Sequence, residues 1–151
     1  MERNEKFMKA AISCARRAAK LGEVPVGCVI VRGDEIISRG YNRREGDKNA
    51  LRHAEIIAIE RACRRLDGWR LWECEMYVTL EPCPMCAGAI LNSRVRAVYF
   101  GASDPKAGAL GSVFNLFDYP LNHKPYVCGG ILEGECSSLL RDFFKNLRDR
   151  G

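Results

Sequence analysis

His53-Ala54-Glu55 and Pro82-Cys83-Pro84-Met85-Cys86 are the two stretches of this sequence whose residue types can do chemistry together. Imidazole and thiolate are donors that zinc prefers, and a catalytic zinc site takes three protein ligands and keeps a fourth position open. His53, Cys83 and Cys86 supply three. The sequence holds only two histidines, so the pairing is not a by-product of histidine abundance. Cys83 and Cys86 are three apart, which puts two thiols on one face of a helix. Pro84 suits a first helical position, where the N–H it lacks would have no partner. The thiols then lie at a helix N-terminus, whose positive dipole end favours thiolate. His53 and Glu55 are two apart and would diverge on a helix wall. At a helix start both reach a ligand lying beyond the end, so the spacing predicts two helix starts meeting at one metal.

A closed structural zinc site would need a fourth ligand, for which Cys74 and Cys128 are the candidates. Such sites usually bring their ligands in two close pairs. His53 has no partner at that spacing, and Glu55 would be idle. A Cys-x-x-Cys redox pair would not need the His-x-Glu half. The split pattern resembles the His-x-Glu…Pro-Cys-x-x-Cys signature of zinc nucleobase deaminases. In that chemistry zinc lowers the pKa of a water molecule toward neutrality. Glu55, not itself a ligand, takes the proton. Hydroxide attacks the amine-bearing ring carbon, and Glu55 returns protons to the ring nitrogen and the leaving ammonia.

The elements that position these residues are legible in the periodicity. Residues 4–21 form an amphipathic helix, with Phe7, Ala11, Cys14, Ala18 and Leu21 at spacings of four and three, stopped by Gly22. Val26–Arg32 and Glu35–Tyr41 read as a hairpin turning at Gly33-Asp34. Residues 42–52 are a polar loop. A helix is predicted over about 53–66, a strand over Met76–Leu80, a helix from Pro84, and a short strand over Ala97–Phe100. A loop punctuated by Gly101, Gly108 and Gly111 follows, with a helical turn near 112–117, a last strand over Val127–Leu132 and a final helix over 135–148. Strands alternating with helices after an opening hairpin predict an α/β fold: a three-layer α/β/α sandwich around a mixed five-stranded sheet.

Bulk properties bound the rest. The 151 residues are 47% hydrophobic and 28% charged, which fits one globular domain over 1–151 and excludes wholesale disorder. The eight cysteines come without a secretory leader pattern: Glu2, Arg3, Glu5 and Lys6 mix charges where an apolar segment would stand. No apolar run approaches a membrane span. A reducing, cytoplasmic setting is expected. The net charge of +5 permits a polyanionic partner without demanding one.

Gly22-Glu23-Val24-Pro25-Val26-Gly27, Tyr41-Asn42, Tyr77-Val78-Thr79-Leu80-Glu81-Pro82, Gly101-Ala102-Ser103-Asp104-Pro105-Lys106 and Asp142-Phe143-Phe144 join the metal motifs in a set that runs along nearly the whole chain. That set resembles the bacterial tRNA-specific adenosine deaminases, which convert wobble adenosine to inosine. The resemblance implies a cytidine-deaminase-like fold, one Zn²⁺ per subunit, a homodimer, and an arginine-type tRNA anticodon stem-loop as partner. It implies Glu55 as the catalytic residue, His53, Cys83 and Cys86 as metal ligands, and Asn42, Asp104 and Lys106 as substrate-binding residues. Asn42, which both donates and accepts, would hold the flipped-out base; a turn residue is its alternative. Asp104 and Lys106 would hold flanking nucleotides, or form an ordinary Asp-Pro turn. One departure stands out: Ala50-Leu51-Arg52 precedes the histidine where many bacterial members have Pro-Thr-Ala.

In the final helix, Leu140, Phe143, Phe144 and Leu147 form an apolar stripe read as core-facing. Arg141, Lys145 and Arg148 form a basic one, either solvated or a phosphate-contacting edge. His123 lies in a loop, with base stacking as a lesser alternative. A metabolic deaminase of free guanine or cytosine would use the same zinc site without needing the basic helix.

Overall fold

The computed structural model describes residues 2–149. The first helix, α1 (Arg3–Lys20), buries Phe7, Met8, Ala11, Ile12, Ala15 and Ala18 along one stripe. The hairpin follows as β1 (Gly27–Arg32) and β2 (Glu35–Tyr41). Then come α2 (Ala54–Leu66), β3 (Cys74–Leu80), α3 (Pro84–Asn92) and β4 (Ala97–Ala102). A 3-10 turn at Leu116–Asp118, β5 (Tyr126–Cys128) and α4 (Glu133–Asp149) complete the described chain.

The strands form one five-stranded mixed sheet in the order β2-β1-β3-β4-β5. β1 pairs antiparallel with both β2 and β3, whereas β3–β4 and β4–β5 are parallel. The pleat sends successive side chains to opposite faces. On β1, Cys28 and Ile30 enter the core beneath α2 and α3, while Val29 and Val31 enter the core beneath α1 and α4. A strand covered on both faces has to be apolar throughout, which is why β1 and β3 read as near-continuous hydrophobic runs. This is the three-layer α/β/α sandwich expected from the order of elements.

Close backbone packing positions the helix that carries His53. A Cβ on Gly40 of β2 would come within 2.4 Å of the Ala54 carbonyl oxygen. Only glycine lets the first turn of α2 lie that near the sheet edge.

Three details differ from the sequence reading. β5 ends at Cys128, and Ile131 and Leu132 leave the sheet after Gly129-Gly130 to pack under α1 and α4. The helical turn lies at Leu116–Asp118, where the Asn115 side chain accepts from the Phe117 N–H. The apolar stripe of α4 is covered only in part: Leu140 and Phe143 are half-buried, but Phe144 is 42% and Leu147 54% exposed. Helical period predicts which residues share a face; it does not say how far along the helix a partner extends.

Candidate active site

β3 runs apolar to Leu80 and then delivers Glu81, Pro82 and Cys83 at its C-terminal end. Cys83 is the N-cap of α3, with Pro84 in the first turn, and His53 is the N-cap of α2. Neither cap makes a side-chain bond to its own helix, so both side chains are available beyond the helix end. His53 Nδ1 lies 3.7 Å from Cys83 Sγ and 3.5 Å from Cys86 Sγ. The donor atoms of these three residues all fall within 4.8 Å of one another. Zinc–sulfur and zinc–nitrogen bond lengths in a tetrahedron imply a ligand–ligand edge of about 3.5 Å. The donor set and its spacing therefore fit zinc. Cys74 lies at the other end of β3 and Cys128 in β5, so neither joins the cluster as a fourth ligand.

The electrostatics show the three side chains acting on one another. The Cys83 thiol is held down to about 4, first by a hydrogen bond from Cys86 and then by His53. Cys86 moves up, because it is the partner that keeps the shared proton, and burial adds to this. His53 moves up through its bond to Cys83 and its charge interaction with Glu55, against burial. A divalent ion replaces such a shared proton and leaves both sulfurs as thiolates.

Glu55 sits in the first turn of α2 and is 4% exposed. Burial lifts its carboxyl to about 7. That value suits a group that must both take and give a proton near neutrality. His53, Glu55 and Cys83 share a pocket of about 210 Å³ with Asn42, Arg44 and Asp104, between the apolar side chains of Val24, Val26 and Leu80. A few polar groups set in apolar walls are what a flat heteroaromatic ring requires.

Asn42 is buried. Its amide donates to the Val24 carbonyl (3.3 Å) and its oxygen accepts from the Arg44 N–H (3.2 Å). A side-chain amide has two donors and two acceptor lone pairs, so one of each remains for an occupant of the pocket. Asp104 also lines the pocket, but its Oδ1 accepts from the Lys106 and Ala107 N–H groups in a local turn. Lys106 is exposed and does not line the pocket. Arg52 pairs with Asp47 in its own loop and with Glu60 on α2. His123 donates from Nε2 to the Val95 carbonyl (2.7 Å), pinning its loop to the link between α3 and β4.

A family model of the cytidine and deoxycytidylate deaminase zinc-binding region matches residues 1–102, which include both metal motifs. The chain belongs to the cytidine and deoxycytidylate deaminase family. This deaminase is 48% identical, over 99% of its length and 94% of the relative's, to the tRNA-specific adenosine deaminase of Bacillus subtilis (strain 168). It is 50% identical to that of Aquifex aeolicus (strain VF5), over 96% of each chain. A structure solved in a study of A-to-I editing by tRNA:A34 deaminases superimposes with a TM-score of 0.87 at 43% identity, covering 89% of this chain and 99% of that one. The guanine deaminase of Nitrosomonas europaea shares the fold more distantly, with a TM-score of 0.78 at 27% identity over 92% of this chain and 83% of that one.

Two buried carboxylates of the deaminase were missed by reading motifs. Glu81 is 2% exposed and accepts from the backbone N–H groups of Asp104 (3.0 Å), Leu110 (3.1 Å) and Ser112 (3.0 Å), and from the Ser112 hydroxyl. Burial would raise its carboxyl; these donors outweigh burial and hold it below the ordinary carboxylate value. Glu23 is 3% exposed and accepts from the Glu45 (3.1 Å) and Gly46 (2.7 Å) N–H groups. Each carboxylate ties down one of the two loops that wall the pocket. Both lie inside the motif blocks Gly22–Gly27 and Tyr77–Pro82, but nothing local to either residue shows which N–H groups it will accept from.

Proposed function

We propose that His53, Cys83 and Cys86 hold the zinc of this deaminase and that Glu55 is its proton carrier, in hydrolytic deamination of adenosine to inosine at the wobble position of a tRNA anticodon loop. The observation that carries this reading is the convergence of one imidazole and two thiols with a buried carboxylate in one pocket. The tRNA-specific adenosine deaminases it resembles along nearly its whole length support the substrate.

Zinc supplies Lewis acidity, which makes water an effective nucleophile near neutral pH. Glu55 takes the proton of the attacking water and returns it to the purine ring nitrogen. A second transfer through Glu55 lets the amine at C6 leave as ammonia, so water and adenosine become inosine and ammonia. Asn42 holds the base edge with its remaining donor and acceptor. Val24, Val26 and Leu80 flank the ring and keep bulk water from the carboxylate. An anticodon loop is already single-stranded, so extruding its base costs less than from a duplex. Asp104 shapes the loop that receives the neighbouring nucleotides, and Lys106, exposed beside it, faces their phosphates.

Three extensions belong to the same proposal. The substrate is an arginine-type tRNA carrying adenosine at the wobble position, which places the enzyme in the cytoplasm with the translation machinery. Residues 1–151 act as one deaminase-type domain. The enzyme works as a homodimer, a reading supported by the exposed apolar side chains Phe144 and Leu147. Among the described residues no helix is long and apolar enough to cross a membrane.

The deciding assay incubates the zinc-loaded protein with such a tRNA and detects inosine at the wobble position. Inosine is expected. Its absence, with free guanine or a free nucleoside deaminated instead, overturns the tRNA reading in favour of a small-molecule deaminase.

A further inference from the structure

Four arginines meet at the outer edge of the sheet. β2 is an edge strand, and beside it lies a cleft of about 560 Å³ lined by Arg17, Arg39, Tyr41, Arg43 and Arg61 around Cys14. Arg43 is paired with Asp47. Among the described residues, Arg17, Arg39 and Arg61 have no carboxylate within salt-bridge distance. Burial pushes the Cys14 thiol up, and Arg39, Arg61 and Arg17 each pull it back, so the three charges act on one point.

The cluster is held in place. The guanidinium groups of Arg17 and Arg43 lie over the Tyr41 ring, 5.5 and 5.6 Å from its centroid. Arg43 also donates to the Tyr41 hydroxyl (3.1 Å), and Arg61 donates to the Arg39 carbonyl (2.8 Å). Like charges gathered without counter-charge cost free energy. Planar guanidinium forks fixed in advance are well suited to bind phosphate oxygens.

The cleft adjoins the active site through four consecutive residues. Tyr41 and Arg43 line the cleft, while Asn42 and Arg44 line the pocket that holds His53 and Glu55. The two sites therefore lie on opposite sides of one backbone segment.

We propose that this arginine cleft binds the phosphodiester backbone of the RNA whose base enters the pocket. It would act as a second anchor, on the β2 edge, away from the basic stripe of α4. The inference rests on the tRNA reading above, and the experiment separates the two. Inosine formation by the wild-type protein is measured first. Binding of the same RNA is then followed across about 50 to 200 mM salt, the range over which phosphate contacts dominate the salt response.

Arg17→Gln/Arg39→Gln should raise the Kd roughly tenfold and flatten the slope of log Kd against log salt by about 1.4, for two lost contacts to a single strand. Arg39→Lys, which keeps the charge, should retain the wild-type slope. Arg70→Ala, which removes one charge outside the cleft, should leave Kd and slope unchanged. Equal melting temperatures establish that the variants are folded. If the wild type makes no inosine from tRNA, the underlying reading falls and the cleft proposal with it. If it makes inosine while the double variant binds with wild-type Kd and slope, the cleft proposal alone is overturned. A double variant whose kcat falls at unchanged Kd also overturns it, because the arginines would then act on the chemistry instead of the RNA.

Discussion

At the scale of single residues, position relative to a helix end decides the role. His53 and Cys83 are both N-caps, and neither bonds its own helix. In the first turn of α2, Glu55 is buried where water cannot stabilise its charge, and its carboxyl rises to about 7. This separates two kinds of loss. Glu55→Gln should lower kcat by roughly 10²- to 10⁴-fold, the usual contribution of a placed proton carrier, while zinc content by elemental analysis stays at one ion per chain. Cys86→Ser should abolish activity and zinc content together. Asn42→Ala should act on substrate: loss of one buried hydrogen bond predicts a KM increase of about 5- to 100-fold with zinc unaffected. Glu55 and Cys86 were legible as residue types at fixed spacing, because metal ligation and helix starts are local properties; Asn42 came from the family resemblance.

At the scale of elements, the pocket is a product of two loops that neither strand nor helix periodicity describes. Glu23 fastens the loop after β2 and Glu81 the loop after β4. The second loop passes so close that a Cβ on Gly108 would lie 2.4 Å from the Glu81 carboxyl carbon. Gly108→Ala should therefore push the 104–112 loop away from Glu81. Removing the acceptor, as in Glu81→Ala, leaves buried N–H groups without partners and should cost on the order of 3 kcal/mol, read from urea unfolding. In both variants KM should rise more than zinc content falls, because the metal-bearing helix ends remain while the wall moves. The sequence showed Gly108 only as punctuation in a loop. Its partner lies 27 positions away in number and is brought near by the β3–β4 pairing.

At the scale of the whole molecule, helices cover both faces of the sheet, with one core beneath α2 and α3 and a second beneath α1 and α4. A metal held by His53, Cys83 and Cys86 would join the starts of α2 and α3 and so tie one face together. Chelation of zinc should lower the melting temperature by about 10 °C, as expected for a tight ligand of a domain this size. The other face ends in α4, whose Phe144 and Leu147 stay exposed. If a second copy covers them, Phe144→Glu/Leu147→Glu should halve the mass measured by light scattering.

The sequence by itself determined the donor set, the two helix starts, the five strands and the buried character of β1 and β3. Each depends on spacing within one segment or on the period of one element. Only the tertiary structure decided what surrounds Glu23, Glu81, His123 and the arginines of the β2 edge. Their partners are distant in the chain: Gly46 lies 23 residues from Glu23, Ser112 31 from Glu81, and Val95 28 from His123. A buried carboxylate, a pinned imidazole and a cluster of like charges acquire meaning from what surrounds them, and packing alone supplies those surroundings.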